Sequence, residues 1–101
     1  MIAGLNSSEF EFIQNKLIRP LKSKGAQVFL FGSRAKGNHK KFSDIDLLYC
    51  LPVDKKIPGH FIHQLLMEIE ESNFPYKIDL VGENELAQSY KDRVLLEKQK
   101  L

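Results

Sequence analysis

The first quarter of the 101-residue chain carries apolar residues at the spacing of an amphipathic helix. Ser8 with Glu11 has the form of a capping box, so the pattern predicts a helix over residues 8–24. Pro20 falls inside this helix and should kink or split it, because proline lacks an N–H and crowds the preceding turn. The apolar positions recur every three or four residues, as one helix face requires: Phe10, Ile13, Leu17 and Leu21.

Three shorter segments have the composition or the alternation of β-strands. Residues 27–31 (QVFLF) are apolar and followed by glycine, which is typical of a buried strand. Residues 44–51 alternate, so that Asp44 and Asp46 share one face of a strand. Residues 76–81 (YKIDLV) predict a third strand, in which a single aspartate stands among apolar residues.

Two further helices complete the pattern. Apolar residues at helical spacing from Phe61 to Ile69 predict a second long helix, with Pro58 near its start and Pro75 beyond its end. Residues 83–96 predict a last helix, and the pattern of the final five residues is ambiguous. Helices and strands thus alternate, and the length suits one domain.

Composition and charge exclude several broad classes of protein. Hydrophobic residues make up 43% of the chain and charged residues 28%, which is ordinary globular usage. No apolar run approaches the roughly 20 residues of a membrane helix, and the amino end lacks a secretory signal, so we expect a cytoplasmic protein. The net charge of +2 is too balanced for a general nucleic-acid binder. The single cysteine, Cys50, is expected to be a buried residue and not a catalytic thiol.

The candidate chemistry begins with two aspartates at the head of the second predicted strand. A strand rises about 3.3 Å per residue, so the Cα atoms of Asp44 and Asp46 should lie about 6.6 Å apart with both carboxylates on one face. Asp79 holds a similar position in the third strand, since IDLV resembles IDLL. If the two strands are neighbours, three carboxylates converge. Such oxygen-only clusters suit Mg²⁺ or Mn²⁺, whereas zinc would lack its usual Cys and His ligands.

A glycine-containing loop precedes these aspartates. In FGSRAKG, Gly32 and Ser33 lie between a strand and a predicted short helical turn over residues 33–37, which lets an anion approach backbone N–H groups. The same stretch is locally cationic through four side chains: Arg34, Lys36, Lys40 and Lys41. Together, the loop and the carboxylates indicate a site for a nucleoside triphosphate.

A P-loop is the obvious alternative for this loop. Gly32 and Gly37 have its glycine spacing, but Asn38 and His39 stand where Lys and Ser or Thr should follow. We therefore reject the P-loop interpretation.

The two motifs occur at a defined spacing, with ten residues between Gly32-Ser33 and Asp44-Ile45-Asp46. With LFGSRAKG and SDIDL as they stand, the chain resembles the DNA polymerase beta-type nucleotidyltransferase superfamily, and most of all its minimal nucleotidyltransferase (MNT) branch. The resemblance covers nearly the whole chain, from the first helix through IDLV. It implies an α/β (α+β) fold, in which a small mixed sheet is flanked by helices within one domain over residues 1–101.

The resemblance also implies a reaction and a set of roles. A nucleoside monophosphate, usually AMP from ATP, would be transferred to an acceptor hydroxyl with the help of two Mg²⁺ ions, which Mn²⁺ could replace. Gly32 and Ser33 would hold the triphosphate, and Arg34 would add charge at the phosphates. Asp79 would assist deprotonation of the acceptor in addition to binding metal. The implied metal ligands are the three acids: Asp44, Asp46 and Asp79.

Three functions stay open at this point. Chains that resemble this one commonly pair with a HEPN-domain ribonuclease toxin, which the MNT protein neutralises by adenylylating a tyrosine, so this chain would be the antitoxin. A second hypothesis is a binding module that neutralises its partner by contact alone. A third is a transferase for small molecules, as among aminoglycoside-modifying relatives, although no accessory domain is evident. Homo- or hetero-oligomers are compatible with each hypothesis.

Overall fold

The computed structural model of the protein describes residues 4–37, 40 and 42–101, apart from the side chains of residues 89 and 90. Lys41 of the cationic loop, and Asn38 and His39 of the rejected P-loop match, lie outside the described residues. The elements follow in this order: α1 (Ser7–Ile13), a π-helical segment (Gln14–Ile18), α2 (Arg19–Ser23), β1 (Gln27–Phe31), α3 (Ser33–Lys36), β2 (Ile45–Cys50), α4 (Gly59–Glu71), β3 (Ile78–Gly82), a 3-10 turn (Glu83–Glu85), α5 (Gln88–Glu97) and β4 (Gln99–Lys100).

The amino end of α1 is capped by Asn6, and the predicted cap at Ser8 is wrong. The Asn6 side chain accepts a hydrogen bond from the Glu9 backbone N–H at 2.8 Å, and the Glu9 carboxylate accepts one from the Asn6 N–H at 3.0 Å. This reciprocal pair lies two residues before the predicted one. Asparagine is as good an N-cap as serine, so the earlier position can satisfy the free N–H groups equally well.

The first helix is interrupted just before Pro20, as predicted. In the π-helical segment the turn is wider, and the backbone N–H of Arg19 donates to the carbonyl of Gln14, five residues earlier. The wider turn suits a proline, because its ring would collide with the carbonyl four residues back in a regular α-helix. The α-helical geometry then resumes in α2.

The strands form one mixed sheet with the order β3-β2-β1-β4. β2 runs antiparallel to β1 and parallel to β3, and β4 runs antiparallel to β1. The parallel pair needs a crossover connection, which α4 provides. The predicted small mixed sheet flanked by helices is thus confirmed, and the two strands that carry aspartates are neighbours.

Both carboxylate strands begin later than the sequence predicted. β2 begins at Ile45, whose N–H donates to the Lys77 carbonyl at 2.9 Å and so joins the two segments just ahead of β3. β3 begins at Ile78. Tyr76 stays outside the strand, where its ring packs edge-on against Phe74 with 5.6 Å between the ring centroids.

Alternate strand positions build a core on each face of the sheet. The face covered by the first helical region and α4 is formed mainly by Val28, Leu30, Ile45, Leu47, Ile13, Leu17, Leu21 and Ile69. On the opposite face, Phe29, Phe31 and Leu48 pack with Val94 of α5. Asp46 is the register partner of Phe31 and lies between two residues of the first face, so its side chain belongs to the second.

The last predicted helix is divided in the structure, so the prediction of a single helix over residues 83–96 is wrong. Leu86 and Ala87 have extended backbones between the 3-10 turn and α5. Leu86 packs against the second core, which explains why the chain leaves the helical path here.

The segment without a clear sequence pattern forms β4. Gln99 pairs with Leu30 of β1, and the Leu101 N–H donates to the Val28 carbonyl at 2.9 Å. Its two polar residues give no strand signal of their own, so the pairing depends on the edge that β1 offers. None of the helices in the described ranges is both long and apolar enough to cross a lipid bilayer.

Candidate active site

The loop after β1 is built around Gly32. Its backbone has φ 77° and ψ −157°, a combination that is essentially restricted to glycine. A Cβ atom added to Gly32 would lie only 2.5 Å from Oδ2 of Asp46. The missing side chain therefore allows the loop and the Asp46 carboxylate to pack directly against each other.

The short helix α3 continues this loop, and the carboxyl-terminal segment of the chain contacts it through a hydrogen bond and an ion pair. Gln99 donates from Nε2 to the Ala35 carbonyl at 2.7 Å. Lys36 Nζ lies 3.1 Å from Oε1 of Glu97. Ser33, the first residue of α3, is half-buried beside Gly32. No local pattern predicts these contacts, because they join residues more than 60 positions apart.

The structure brings two of the three predicted acids, Asp46 and Asp79, to one face of the sheet. Asp46 and Asp79 are register partners across β2 and β3, so their side chains leave neighbouring parallel strands on the same side. Asp44 precedes β2 by one residue. Burial raises the pKa of Asp46 above its ordinary value, and the negative charges of Asp79 and then Asp44 raise it further, while the Arg34 guanidinium opposes them.

These acids are neighbours, but their side chains are not arranged as a complete set of metal ligands. Among the residues that the structure describes, no three His, Cys, Asp or Glu side chains are arranged to hold a metal ion. The donor chemistry nevertheless fits Mg²⁺ or Mn²⁺, because it consists of carboxylate oxygens, two of them on exposed residues, Asp44 and Asp79. A divalent cation would also relieve the repulsion that raises the pKa of Asp46.

Arg34 is carried into the protein by α3. Only 5% of the residue is exposed, and both Nε and Nη2 donate to the Ser43 carbonyl oxygen, at 3.0 and 2.8 Å. The guanidinium carbon lies 4.6 Å from the centroid of the Tyr76 ring. Its charge still acts on Asp46. The contribution of Arg34 to phosphate binding stays a prediction.

The sequence analysis assigned no role to three residues that shape this end of the sheet: Phe42, Ser43 and Tyr76. Ser43 closes the loop before β2, since its hydroxyl donates to the Lys40 carbonyl at 2.6 Å and accepts the Lys40 N–H at 2.8 Å. Phe42 has a positive φ of 65°, is 59% exposed, and lies 6.0 Å from the ring of Tyr76. The serine before the aspartate pair was a visible signal, but nothing local separates these aromatics from ordinary core residues.

Cys50 takes no part in this site. Burial, together with a hydrogen bond to Glu83, raises the pKa of its thiol to about 11. The thiol is therefore protonated near neutral pH, when only the thiolate would be a nucleophile.

Comparison with known proteins identifies the family to which the chain belongs. The family model of the nucleotidyltransferase domain matches residues 14–101, so the chain belongs to the nucleotidyltransferase domain family. A search of curated proteins finds no match.

Solved structures narrow the relationship. A minimal nucleotidyltransferase has a TM-score of 0.68 and 25% identity, and the match covers 97% of this chain and 98% of that one. A toxin–antitoxin complex with AMP-PNP has a TM-score of 0.64 and 22% identity over 86% of this chain and 70% of that one. A tri-AMPylated HEPN toxin of Shewanella oneidensis in complex with an MNT antitoxin gives a TM-score of 0.57 and 19% identity, covering 89% and 69% of the two chains. The predicted relation to minimal nucleotidyltransferases is confirmed.

Proposed function

We propose that this protein transfers AMP from ATP, in a metal-dependent reaction, to a hydroxyl group of a partner protein. The observation that carries the proposal is the pairing of Asp46 with Asp79 across parallel strands, next to the bare backbone of Gly32. A loop that admits an anion and a face that gathers carboxylates are the two parts that such a transfer needs. We place this activity in the cytoplasm, the location expected from the sequence.

Each residue has a task in the proposed reaction. Gly32 and Ser33 would hold the triphosphate, and Arg34 would support this loop without contacting the phosphates directly. Asp79 would also orient the acceptor hydroxyl and assist removal of its proton as the acceptor oxygen bonds to the α-phosphorus and pyrophosphate leaves. Two divalent cations would neutralise charge on the attacking and leaving oxygens. The residues that would hold these cations are the three acids: Asp44, Asp46 and Asp79.

The partner that we propose is a HEPN-domain toxin, with this protein as its antitoxin. Support comes from the similar structures, one of which is an AMPylated HEPN toxin bound to an MNT antitoxin and another a toxin–antitoxin complex with AMP-PNP. A partner protein would also supply the surface that presents the acceptor hydroxyl, for which a tyrosine is our candidate.

Labelling of the cognate partner tests this proposal. The purified protein, incubated with Mg²⁺, α-labelled ATP and the partner, should transfer label to the partner, and Asp44→Ala should abolish the transfer. Asp92→Ala, at an exposed position on α5, is the control and should label normally. Neutralisation of the partner without any label would instead establish a module that acts by contact alone. Label on an antibiotic and not on the partner would establish a small-molecule transferase.

Metal binding should be visible without any transfer. A cation that binds only the folded state at ten times its Kd stabilises that state by about 1.4 kcal/mol, or about 7 °C in Tm for a domain of this size. We expect such a rise with Mg²⁺ plus a non-hydrolysable ATP analogue, and a smaller one with Mg²⁺ alone. Asp79→Asn should reduce both shifts. Equal shifts in the wild type and in Asp79→Asn would contradict the role of this acid.

A further inference from the structure

Arg34 joins three segments of the site. It is the second residue of α3, immediately after Gly32 and Ser33, so its backbone belongs to the loop proposed for the triphosphate. Its side chain reaches the residue before Asp44 and the aromatic ring that precedes β3. We infer that Arg34 is a positioning residue, which fixes the nucleotide loop relative to the two strands that carry the catalytic acids. The inference rests on the proposed function.

The first contact sets the entry into β2. Two nitrogens of the guanidinium converge on one acceptor, the carbonyl oxygen of Ser43, at 3.0 and 2.8 Å. Ser43 is itself fixed by a two-way hydrogen bond with Lys40 and by its own N–H, which donates to the Lys40 carbonyl at 3.1 Å. Because Asp44 is the next residue, the position of this carbonyl determines where the aspartate pair begins.

The second contact sets the entry into β3. The face of Tyr76 lies under the guanidinium, and the same ring packs against Phe74, which in turn stacks on Phe12 of α1 with 5.1 Å between centroids. Tyr76 stands three residues before Asp79. A planar guanidinium can contact an aromatic ring through its face and donate hydrogen bonds from its edge, so it fixes the positions of the ring and of the acceptor together. An ammonium group has no such plane and cannot do both.

The burial of Arg34 favours a positioning role over direct contact with phosphate. With 5% of the residue exposed, the guanidinium is directed into the protein, and its described contacts are to protein groups. Its charge still opposes the factors that raise the pKa of Asp46. A small displacement here would change the distance between the phosphates and the carboxylates, and such displacements of about 1 Å can cost about 10²-fold in rate.

Kinetics of two Arg34 variants distinguish positioning from phosphate binding. Arg34→Lys and Arg34→Gln should both lower kcat for AMP transfer, by about 10- to 100-fold, with KM for ATP changing less than about threefold. Tyr76→Leu, which removes the stacking ring, should lower kcat in the same way and more than Tyr76→Phe does. Arg19→Lys is the matched control, since Arg19 is exposed on α2. A lysine variant with wild-type kcat, or a glutamine variant that raises only KM for ATP, would overturn the inference.

Amide hydrogen exchange provides a reading that does not depend on activity. Arg34→Lys should accelerate exchange by about fivefold or more in two separate stretches, residues 42–46 and 76–79, with no change in β4. Exchange unchanged in both stretches would refute the positioning role even if the variant is inactive. If the wild-type protein transfers no label at all, the proposed function fails, while the exchange data still decide whether Arg34 holds these segments together.

Discussion

Replacement of Asp46 with asparagine is expected to abolish AMP transfer while making the metal-free protein more stable at neutral pH. Loss of a carboxylate that holds the cations removes several kcal/mol of transition-state stabilisation, so we expect a fall of at least about 10³-fold in kcat/KM. Stability should move in the opposite direction. Burial and the charges of Asp79 and Asp44 raise the pKa of Asp46, which means that the ionised carboxylate is disfavoured in the folded state.

The stability difference should depend on pH in a defined direction. Above the raised pKa of Asp46 the folded protein carries the full cost of the charge. As the pH falls through this pKa towards the ordinary value of 3.8, the folded state binds the proton before the unfolded state does, and the cost disappears. The asparagine variant lacks this cost at every pH. Its advantage in Tm should therefore be largest near pH 7 and shrink towards pH 4.

Thermal unfolding in EDTA, across this pH range, provides the measurement. The side chain is only partly buried, so we expect a gain of no more than about 1 kcal/mol, or a few degrees in Tm. Asp54→Asn is the control, because Asp54 is exposed in the loop between β2 and α4 and should show neither effect. An asparagine variant at position 46 that is less stable than the wild type at pH 7 would contradict the crowding of the three acids.

Gly32→Ala is expected to be the most damaging exchange of a glycine in this chain. The backbone at this position is strained for any residue with a Cβ, and the new methyl group would meet the Asp46 carboxylate. Strain of this kind costs about 1–3 kcal/mol, and the carboxylate would be pushed from its place in addition. We expect a loss of several degrees in Tm and a loss of transfer activity of about 10²-fold or more.

Two other glycines separate strain from collision. Gly59→Ala in the first turn of α4 has open space and no positive φ, so it should be neutral or slightly stabilising. Gly37→Ala has a φ of 79° but open space, so it should show strain alone. The activity loss should be specific to Gly32. Equal losses of activity for the exchanges at positions 32 and 37 would show that the contact with Asp46 has no role.

The strand period predicts a shared face for two of the acids, but it says nothing of the third. Alternation depends only on local geometry, so it predicts that Asp44 and Asp46 share a face, although β2 begins one residue after Asp44. The position of Asp79 opposite Asp46 depends on which strands pair and in which register, and no local pattern specifies either. The similarity of IDLV to IDLL suggested that Asp79 would lie near Asp46, and the pairing of β2 with β3 places the two residues opposite each other.

Other features could not be predicted from the sequence, because they depend on contacts between residues that are far apart in the chain. β4 exists through the free edge of β1, and its polar residues would form no strand elsewhere. Arg34 was predicted from the sequence as part of a cationic loop, yet the fold turns its side chain inward to Ser43 and Tyr76. The prediction of a cap at Ser8 was wrong because Asn6 and Glu9 have the same spacing as Ser8 and Glu11, and the structure uses the earlier pair.

The strand that carries Asp79 is one of the two edge strands of the sheet in the part of the chain that the structure describes, with β2 as its one neighbour. Asp79 is also exposed, so a reactant can reach this acid from the edge of the sheet. Such access favours an acceptor group on the surface of a folded protein, because a docked protein would cover the exposed edge of the site and exclude water from it. The proposed transfer to a protein side chain is consistent with this open flank.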